Sequence, residues 1–234
     1  MGCRFCASEA GFEAMPPDTA GALVEELAAS GFHSVVLGGG EPFLWPHDLA
    51  ALGRRARRAG LLVQVGSNVL APPPGFAAFD WVDRYLVPWE SSDPALHDEL
   101  RAARGGHAVA LERALDALTE SGKPVTVGTV VTARNLDGLT QLREALLARA
   151  ARGLRVHAWH LYRFLAVGRG GAGAAGLHVG SAEYRAAVDG LRAAPLGFPV
   201  YRRDDMLRST TVEFFWQAGG RIRTGSESTG GAAG

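Results

Sequence analysis

Apolar positions along the chain alternate between a helical and a strand-like spacing. Asp18–Ser30 puts Leu23, Leu27 and neighbouring alanines on one face, which predicts a helix with Asp18 as N-cap and Gly31 as stop. Ser34–Leu37 (SVVL) reads as a short buried strand that ends in three glycines. His47–Gly60 predicts an Arg-rich amphipathic helix, and Leu61–Val65 (LLVQV) a second strand. Val82–Val87 predicts a third strand, followed by helices around Pro94–Arg101 and over Val109–Ser121. Val125–Val131 (VTVGTVV) is β-branched and strand-like, Leu136–Arg152 helical, Arg155–Leu161 a strand, and Ala182–Ala193 a helix.

Five strand–helix units joined by short connections predict a parallel α/β sheet with right-handed crossovers, curling toward a barrel or partial barrel. In such a sheet chemistry belongs at the C-terminal ends of the strands. The unusual residues fall there: GGGEP after the first strand, GSN after the second, PWESS after the third, TARN after the fourth and YRF after the fifth. Thr210–Arg223 predicts a hairpin around Gly219-Gly220, and Gly168–Gly176 a flexible loop near the active face. The predicted organisation is a core over residues 1–200, a hairpin extension over 201–223 and a disordered Gly/Ser-rich tail over 224–234.

The 234 residues suffice for one sizeable domain. Lys+Arg and Asp+Glu both number 24, which argues against a nucleic-acid partner. No apolar run reaches bilayer-spanning length and no signal pattern opens the sequence, so no membrane association and a cytoplasmic location are expected. The two cysteines, Cys3 and Cys6, both lie in the first six residues, a pattern unlike a disulfide scaffold. Taken alone, C-x-x-C fits a redox dithiol, half of a zinc site or a cluster ligand pair. Zinc would want two further ligands at compatible spacing; His157 and His160 come nearest but lie on or beside a strand.

Gly2-Cys3-Arg4-Phe5-Cys6-Ala7 resembles the second half of the C-x-x-x-C-x-Φ-C motif of the radical S-adenosylmethionine (SAM) superfamily, Phe5 being the aromatic. Gly39-Gly40-Glu41-Pro42 resembles that family's GGEP motif, one helix and one strand downstream as in the family. The resemblance covers roughly residues 1–170. It implies a partial (β/α) TIM-like barrel whose first strand is missing, with the motif's first cysteine falling two residues before Met1, outside this sequence. It implies a [4Fe–4S] cluster held in part by Cys3 and Cys6, with SAM on the fourth iron. It also implies reductive cleavage of SAM to a 5′-deoxyadenosyl radical that abstracts a substrate hydrogen.

By the same resemblance, Phe5 packs near the adenine, and Gly39, Gly40, Glu41 and Pro42 meet the methionyl amino group. Ser67 and Asn68 stand where relatives carry a small polar triplet near SAM. Pro88–Leu100 is similar to the region that supplies SAM-carboxylate contacts in the molybdenum-cofactor cyclase and peptide-maturase branch, which puts Glu90 and Ser91 among the cofactor-binding residues. Asn135 is a further candidate along the adenosine. Tyr162, Arg163 and Arg169 are expected on the substrate, and no residue is assigned as catalytic. No cysteine follows Cys6, so the auxiliary clusters of SPASM-type maturases are not expected; the C-terminal segment is weakly similar in layout to viperin-like enzymes. The expected substrate is a small molecule, nucleotide or natural-product intermediate ahead of a peptide. A reductase or a flavodoxin- or ferredoxin-type protein would donate the electron. Two other readings stay open: a non-catalytic barrel relative acting as a binding module, and a C-x-x-C thiol oxidoreductase.

Overall fold

The computed structural model describes residues 3–7, 12–103, 106–171, 175–206, 209 and 211–225, with the Arg169 side chain excepted. Helix α1 (Pro17–Ala29) precedes strand β1 (Ser34–Leu37); α2 (Leu49–Arg58) and β2 (Leu62–Gly66) follow. Next come β3 (Arg84–Pro88), α3 (Pro94–Leu100), α4 (His107–Ser121), β4 (Val125–Val131) and α5 (Leu139–Ala151). The chain continues through β5 (Val156–Arg163), the single turn α6 (Gly168–Gly171), α7 (Ser181–Arg192) and β6 (Val200–Arg203). Strands β1 to β6 form one parallel sheet in sequence order, which is the curled half-barrel that the strand–helix alternation predicts. β7 (Phe215–Ala218) and β8 (Arg221–Thr224) form the hairpin expected around Gly219-Gly220.

Among the boundaries that moved, two helix starts have a clear local reason. Asp18 is not the N-cap of α1: the helix starts at Pro17, whose fixed φ suits the first helical position, and Asp18 sits inside the first turn without a capping bond. In α2 the cap is Asp48, whose Oδ1 accepts from the Ala51 amide at 2.9 Å, so His47 stays outside the helix. β6 escaped prediction because VYRR carries one apolar core residue; its partner β5 holds it through the register Trp159↔Val200 to Tyr162↔Arg203. Most of the tail over 224–234 lies outside the described residues, as does part of the loop 168–176.

The alternation of side chains defines two faces of the sheet. Val63, Val65, Tyr85, Val87, Val125 and Val127 turn outward and pack under Leu111, Leu115, Leu118, Leu142 and Leu146 of the helices. The opposite parity (Val36, Leu86, Gly128, Tyr162) faces the lumen. A Cβ on Gly128 would meet Leu86 at 3.3 Å and Tyr162 at 3.6 Å, and one on Gly66 would meet Val36 and Leu86 at 3.6 Å. The lumen is open, since Val36 is 47% exposed in the middle of an edge strand. The β7–β8 hairpin is fastened by Glu13, which bridges to Gln217 and whose carboxylate accepts from the Gly219 and Gly220 amides at 2.9 and 3.0 Å. Trp216 meets Phe12 edge-on there, so the hairpin packs on the segment before α1.

Candidate functional site

The Cys3–Cys6 loop lies over the strand ends and is held by short backbone contacts. The Cys6 amide donates to the Cys3 carbonyl at 3.2 Å, a turn that brings both half-buried thiols together. The Arg4 amide donates to the Leu100 carbonyl, and the Gly170 amide to the Cys6 carbonyl at 2.8 Å. Phe5 anchors the loop in a small cluster with Leu100, Phe164 and Leu177, against which Val130 also packs. The Arg101 guanidinium lies 6.0 Å from the Phe5 ring centroid. Arg4 and Arg134 both pair with Glu99, at 3.1 and 3.0 Å, on the exposed rim.

After β1 the chain passes through Gly39 and Gly40, both at positive φ, where bare backbone faces open space. Pro42 opens a single 3₁₀ turn that Glu41 caps. The Glu41 carboxylate, expected on the amino group of SAM, reaches across to the next strand end. It accepts from Ser67 Oγ at 2.9 Å and from the Asn68 amide at 2.7 Å. The GGEP and GSN segments are therefore one unit joined by charge-assisted bonds. Ser67 is buried, and its hydroxyl also accepts from the Val69 amide.

The ends of β3 and β4 are joined in the same way. Glu90, 1% exposed, accepts from Arg101 Nη1 at 3.1 Å and from the Val130 amide at 2.7 Å. Burial pushes its carboxyl up, while Arg101 and the Val130 amide pull it back down. Asn135 was expected along the adenosine, yet its amide is spent inside the protein. Nδ2 donates to the carbonyls of Glu90 (2.7 Å) and Val130 (3.0 Å), and Oδ1 accepts from the amide and hydroxyl of Thr132. The short turn that Asn135 precedes has no side-chain cap bond. Ser91 is buried and accepts from the Asp93 amide at the start of α3.

Behind Glu90 lies a buried histidine pair that sequence reading did not single out. The Glu90 amide donates to His97 Nδ1 at 3.1 Å, and the rings of His97 and His107 are joined Nε2 to Nδ1 at 2.8 Å. Asp98 is near enough to suggest a metal group with them. Its two oxygens, however, accept from the Gly106 and Ala108 amides at 2.8 Å, and the imidazoles are engaged with each other. The three residues form a structural network at the start of α4.

Of the expected substrate residues, Tyr162 lies on the lumen face, its hydroxyl 3.2 Å from His160 Nδ1. Arg163 has the opposite parity and donates to the Asp204 carbonyl at 3.0 Å. The Arg169 side chain is outside the described part. Sequence reading missed Arg101, whose Nε is buried with no hydrogen-bond partner beside the cysteine loop. The one available signal was a basic residue directly following a helix whose buried face also carries Glu90's partner His97.

The residues present fit an iron–sulfur cluster. Two soft sulfur donors are presented by one turn; burial pushes the Cys3 thiol up, and the Arg101 charge beside it pulls in the opposite direction, toward the thiolate. An extra Cβ on Gly170 would come within 2.5 Å of the Cys6 amide nitrogen, so the backbone closes directly on the loop.

Comparison with known proteins agrees with this geometry. Residues 1–144 match the family model described as the radical SAM superfamily. The AdoMet-dependent heme synthase of Methanosarcina barkeri is 29% identical over 159 residues, 65% of this chain and 43% of its own length. The PqqA peptide cyclase of Ruegeria pomeroyi is 32% identical over 143 residues, 58% of this chain and 38% of its own length. The chain thus matches less than half of either relative. Among solved structures, Streptococcus suis SuiB bound to S-adenosylmethionine superimposes with a TM-score of 0.70 at 15% identity, over 91% of this chain and 50% of that one. Native anSMEcpe with bound AdoMet and a peptide gives 0.63 at 14% identity, over 82% and 55%. Among the described residues no helix is long and apolar enough to cross a membrane.

Proposed function

The chain belongs to the radical SAM superfamily, and from that premise we propose that it binds SAM across the ends of β1 to β4 and cleaves it reductively beside Cys3 and Cys6. A [4Fe–4S] cluster, when bound, supplies one electron to the SAM sulfonium, releasing methionine and a 5′-deoxyadenosyl radical that takes a hydrogen atom from substrate. Cys3 and Cys6 would supply thiolates to hold it. Gly39 and Gly40 offer unobstructed backbone to the amino group of SAM. Glu41 acts mainly by fixing Ser67 and Asn68, and Phe5 by locking the cysteine loop over the lumen. Asn135 and Ser91 shape the site through the backbone, and Glu90 fixes Arg101.

The observation that carries this reading is convergence at one end of the sheet. The cysteine turn, the bare glycine backbone and the Glu41–Asn68 bond all lie at C-terminal strand ends. The substrate is an organic molecule reached through the open lumen. Small-molecule, nucleotide and natural-product substrates stay in the proposal, but a peptide moves to the front. A curated relative is named a peptide cyclase, and SuiB has been solved with its precursor peptide. A reductase or a flavodoxin- or ferredoxin-type donor would supply electrons. The test is anaerobic reconstitution of the chain, extended by whatever its coding DNA places before Met1. With dithionite and SAM it should form 5′-deoxyadenosine, and Cys3→Ala or Cys6→Ala should abolish both iron–sulfur absorbance and product. Full iron content and turnover in either variant would overturn the assignment.

A further inference from the structure

Just past the end of β2 the backbone is strained. Val69 takes a left-handed conformation (φ 53°) although it is β-branched and 1% exposed. Among the described residues Ala102 is the other non-glycine residue at positive φ. Valine is disfavoured there, and a turn keeps such a conformation only while its surroundings hold it. Part of the hold is local: the Val69 amide donates to Ser67 Oγ at 3.0 Å, and the Leu70 amide to Asn68 Oδ1 at 2.8 Å. Glu41 grips the same turn from the β1 side, through Ser67 Oγ and the Asn68 amide.

From the β3 side the turn is met by the buried histidine pair. The β2–β3 register ends at Gly66↔Leu86, with one more bond from the Ser67 amide to the Leu86 carbonyl at 3.1 Å. Beyond that point the Glu90 amide donates to His97 Nδ1, and His97 Nε2 meets His107 Nδ1. A backbone amide only donates, so these bonds run one way and leave the His107 proton on Nε2. That nitrogen is buried beside the Asn68 backbone. A buried N–H is costly to leave unsatisfied, which keeps the ring against the turn. At the other end of the chain Glu90 is itself fixed, its carboxylate by Arg101 and the Val130 amide and its carbonyl by Asn135. The histidines therefore span from the joined ends of β3 and β4 to the joined ends of β1 and β2.

We propose that His97 and His107 are positioning residues for SAM: they brace the Asn68–Val69 turn in the strained form that the cofactor meets. Without the brace Val69 relaxes out of the left-handed region and draws the Asn68 amide away from Glu41. Strain held by the fold in advance is not charged to the ligand, so losing the brace weakens SAM binding without removing a contact to SAM. The role toward SAM rests on the reading that the cofactor lies across the ends of β1 to β4; the brace itself does not.

The first readout needs no cluster: amide exchange over residues 67–70, followed by mass spectrometry in the full cluster-free chain. His107→Phe keeps a buried ring with neither donor nor acceptor, while the milder His107→Asn keeps an acceptor toward His97 and loses the Nε2 N–H. In each, exchange over 67–70 should accelerate about five- to tenfold, with β4 unchanged. The SAM affinity of the anaerobically reconstituted protein should fall by about the same factor. His97→Gln, which can still accept from the Glu90 amide and donate to His107, should keep both readouts near wild type. Leu118→Ala, a cavity toward the other end of α4, should lower the melting temperature and leave both unchanged. Three results would each overturn the proposal: unchanged exchange over 67–70 in the folded His107 variants, the same acceleration in Leu118→Ala, or faster exchange with undiminished SAM affinity. Failure of the wild type to form 5′-deoxyadenosine would sink the radical SAM reading, and the exchange comparison would still decide whether the histidines brace the turn.

Discussion

His97 and His107 form a buried pair in which the tautomers are fixed by the backbone. The Glu90 amide donates to His97 Nδ1, so the His97 proton lies on Nε2 and is donated to His107 Nδ1 at 2.8 Å. The His107 proton is then on Nε2, which is buried beside the Asn68 backbone. Protonating either ring would break this one-directional chain.

That arrangement makes stability fall with acid. Burial first, then the charges of His107 and Arg101, lowers His97 to about 3; burial and Arg101 lower His107 to about 4. The unfolded chain has both near 6.5, so it binds more protons than the folded chain between those values. The contribution is complete above about pH 7 and declines as pH falls through 6.5, by up to ~1.4 kcal/mol per unit for each ring. Urea melts at pH 7.5 and 5.0 should show a drop of a few kcal/mol, to which His160 adds with the same sign. His97→Gln can accept from the Glu90 amide and donate to His107 without titrating. It should flatten the slope while keeping stability at pH 7.5, and an unchanged slope would remove His97 from the account.

Asn135→Asp should reverse that pH trend locally. One carboxylate oxygen would keep the two Thr132 donors, but the other would face the Glu90 and Val130 carbonyls with nothing to donate. Ionised, it is destabilising by roughly 3 kcal/mol or more. Protonated, it restores one donor. The folded-state pKa of the new carboxyl is therefore raised, and the variant loses stability as pH rises, relative to wild type. Melting both proteins at pH 5 and pH 8 checks the sign: the gap must widen at pH 8.

The strands and their ends were readable because local patterns determine them. SVVL and VTVGTVV are β-branched runs closed by glycine or polar residues, and they became β1 and β4 at the predicted bounds. The pairing of Glu41 with Asn68 was not readable, since it joins residues 27 apart through the parallel register of β1 and β2. The bonds of Asn135 were not readable either, since one of its partners is the carbonyl of Glu90, 45 positions away.

Gly170→Ala tests how the cysteine loop is held. The added methyl would lie 2.5 Å from the Cys6 nitrogen and from the Phe5 carbonyl carbon, both backbone atoms that cannot rotate away. The loop must lift, breaking the Gly170–Cys6 bond and exposing Phe5. Since Phe5 belongs to a small cluster apart from the main core, global stability should fall by only about 1 to 2 kcal/mol. Cys6 alkylation in the cluster-free chain should accelerate several-fold. An unchanged alkylation rate would show that the loop is not clamped by this contact.

The last prediction separates electrostatics from packing at Cys3. Burial raises this thiol, Arg101 lowers it and Glu90 raises it, although Arg101 and Glu90 are partners in one ion pair. Removing the two partners should therefore change Cys3 in opposite directions. Glu90→Gln deletes a negative neighbour, increases the thiolate fraction and speeds reaction with iodoacetamide at pH 8. Arg101→Met deletes the positive neighbour and slows it. Arg101→Met also leaves a buried carboxylate unpaired, at about 3 to 5 kcal/mol, so loosening of the loop is a rival cause of any change. Loosening would expose the thiol and speed the reaction in both variants. Opposite changes at pH 8 that converge at a pH where the thiol is fully ionised would assign the effect to charge. Acceleration in both variants would instead make the pair a packing device with no hold on Cys3.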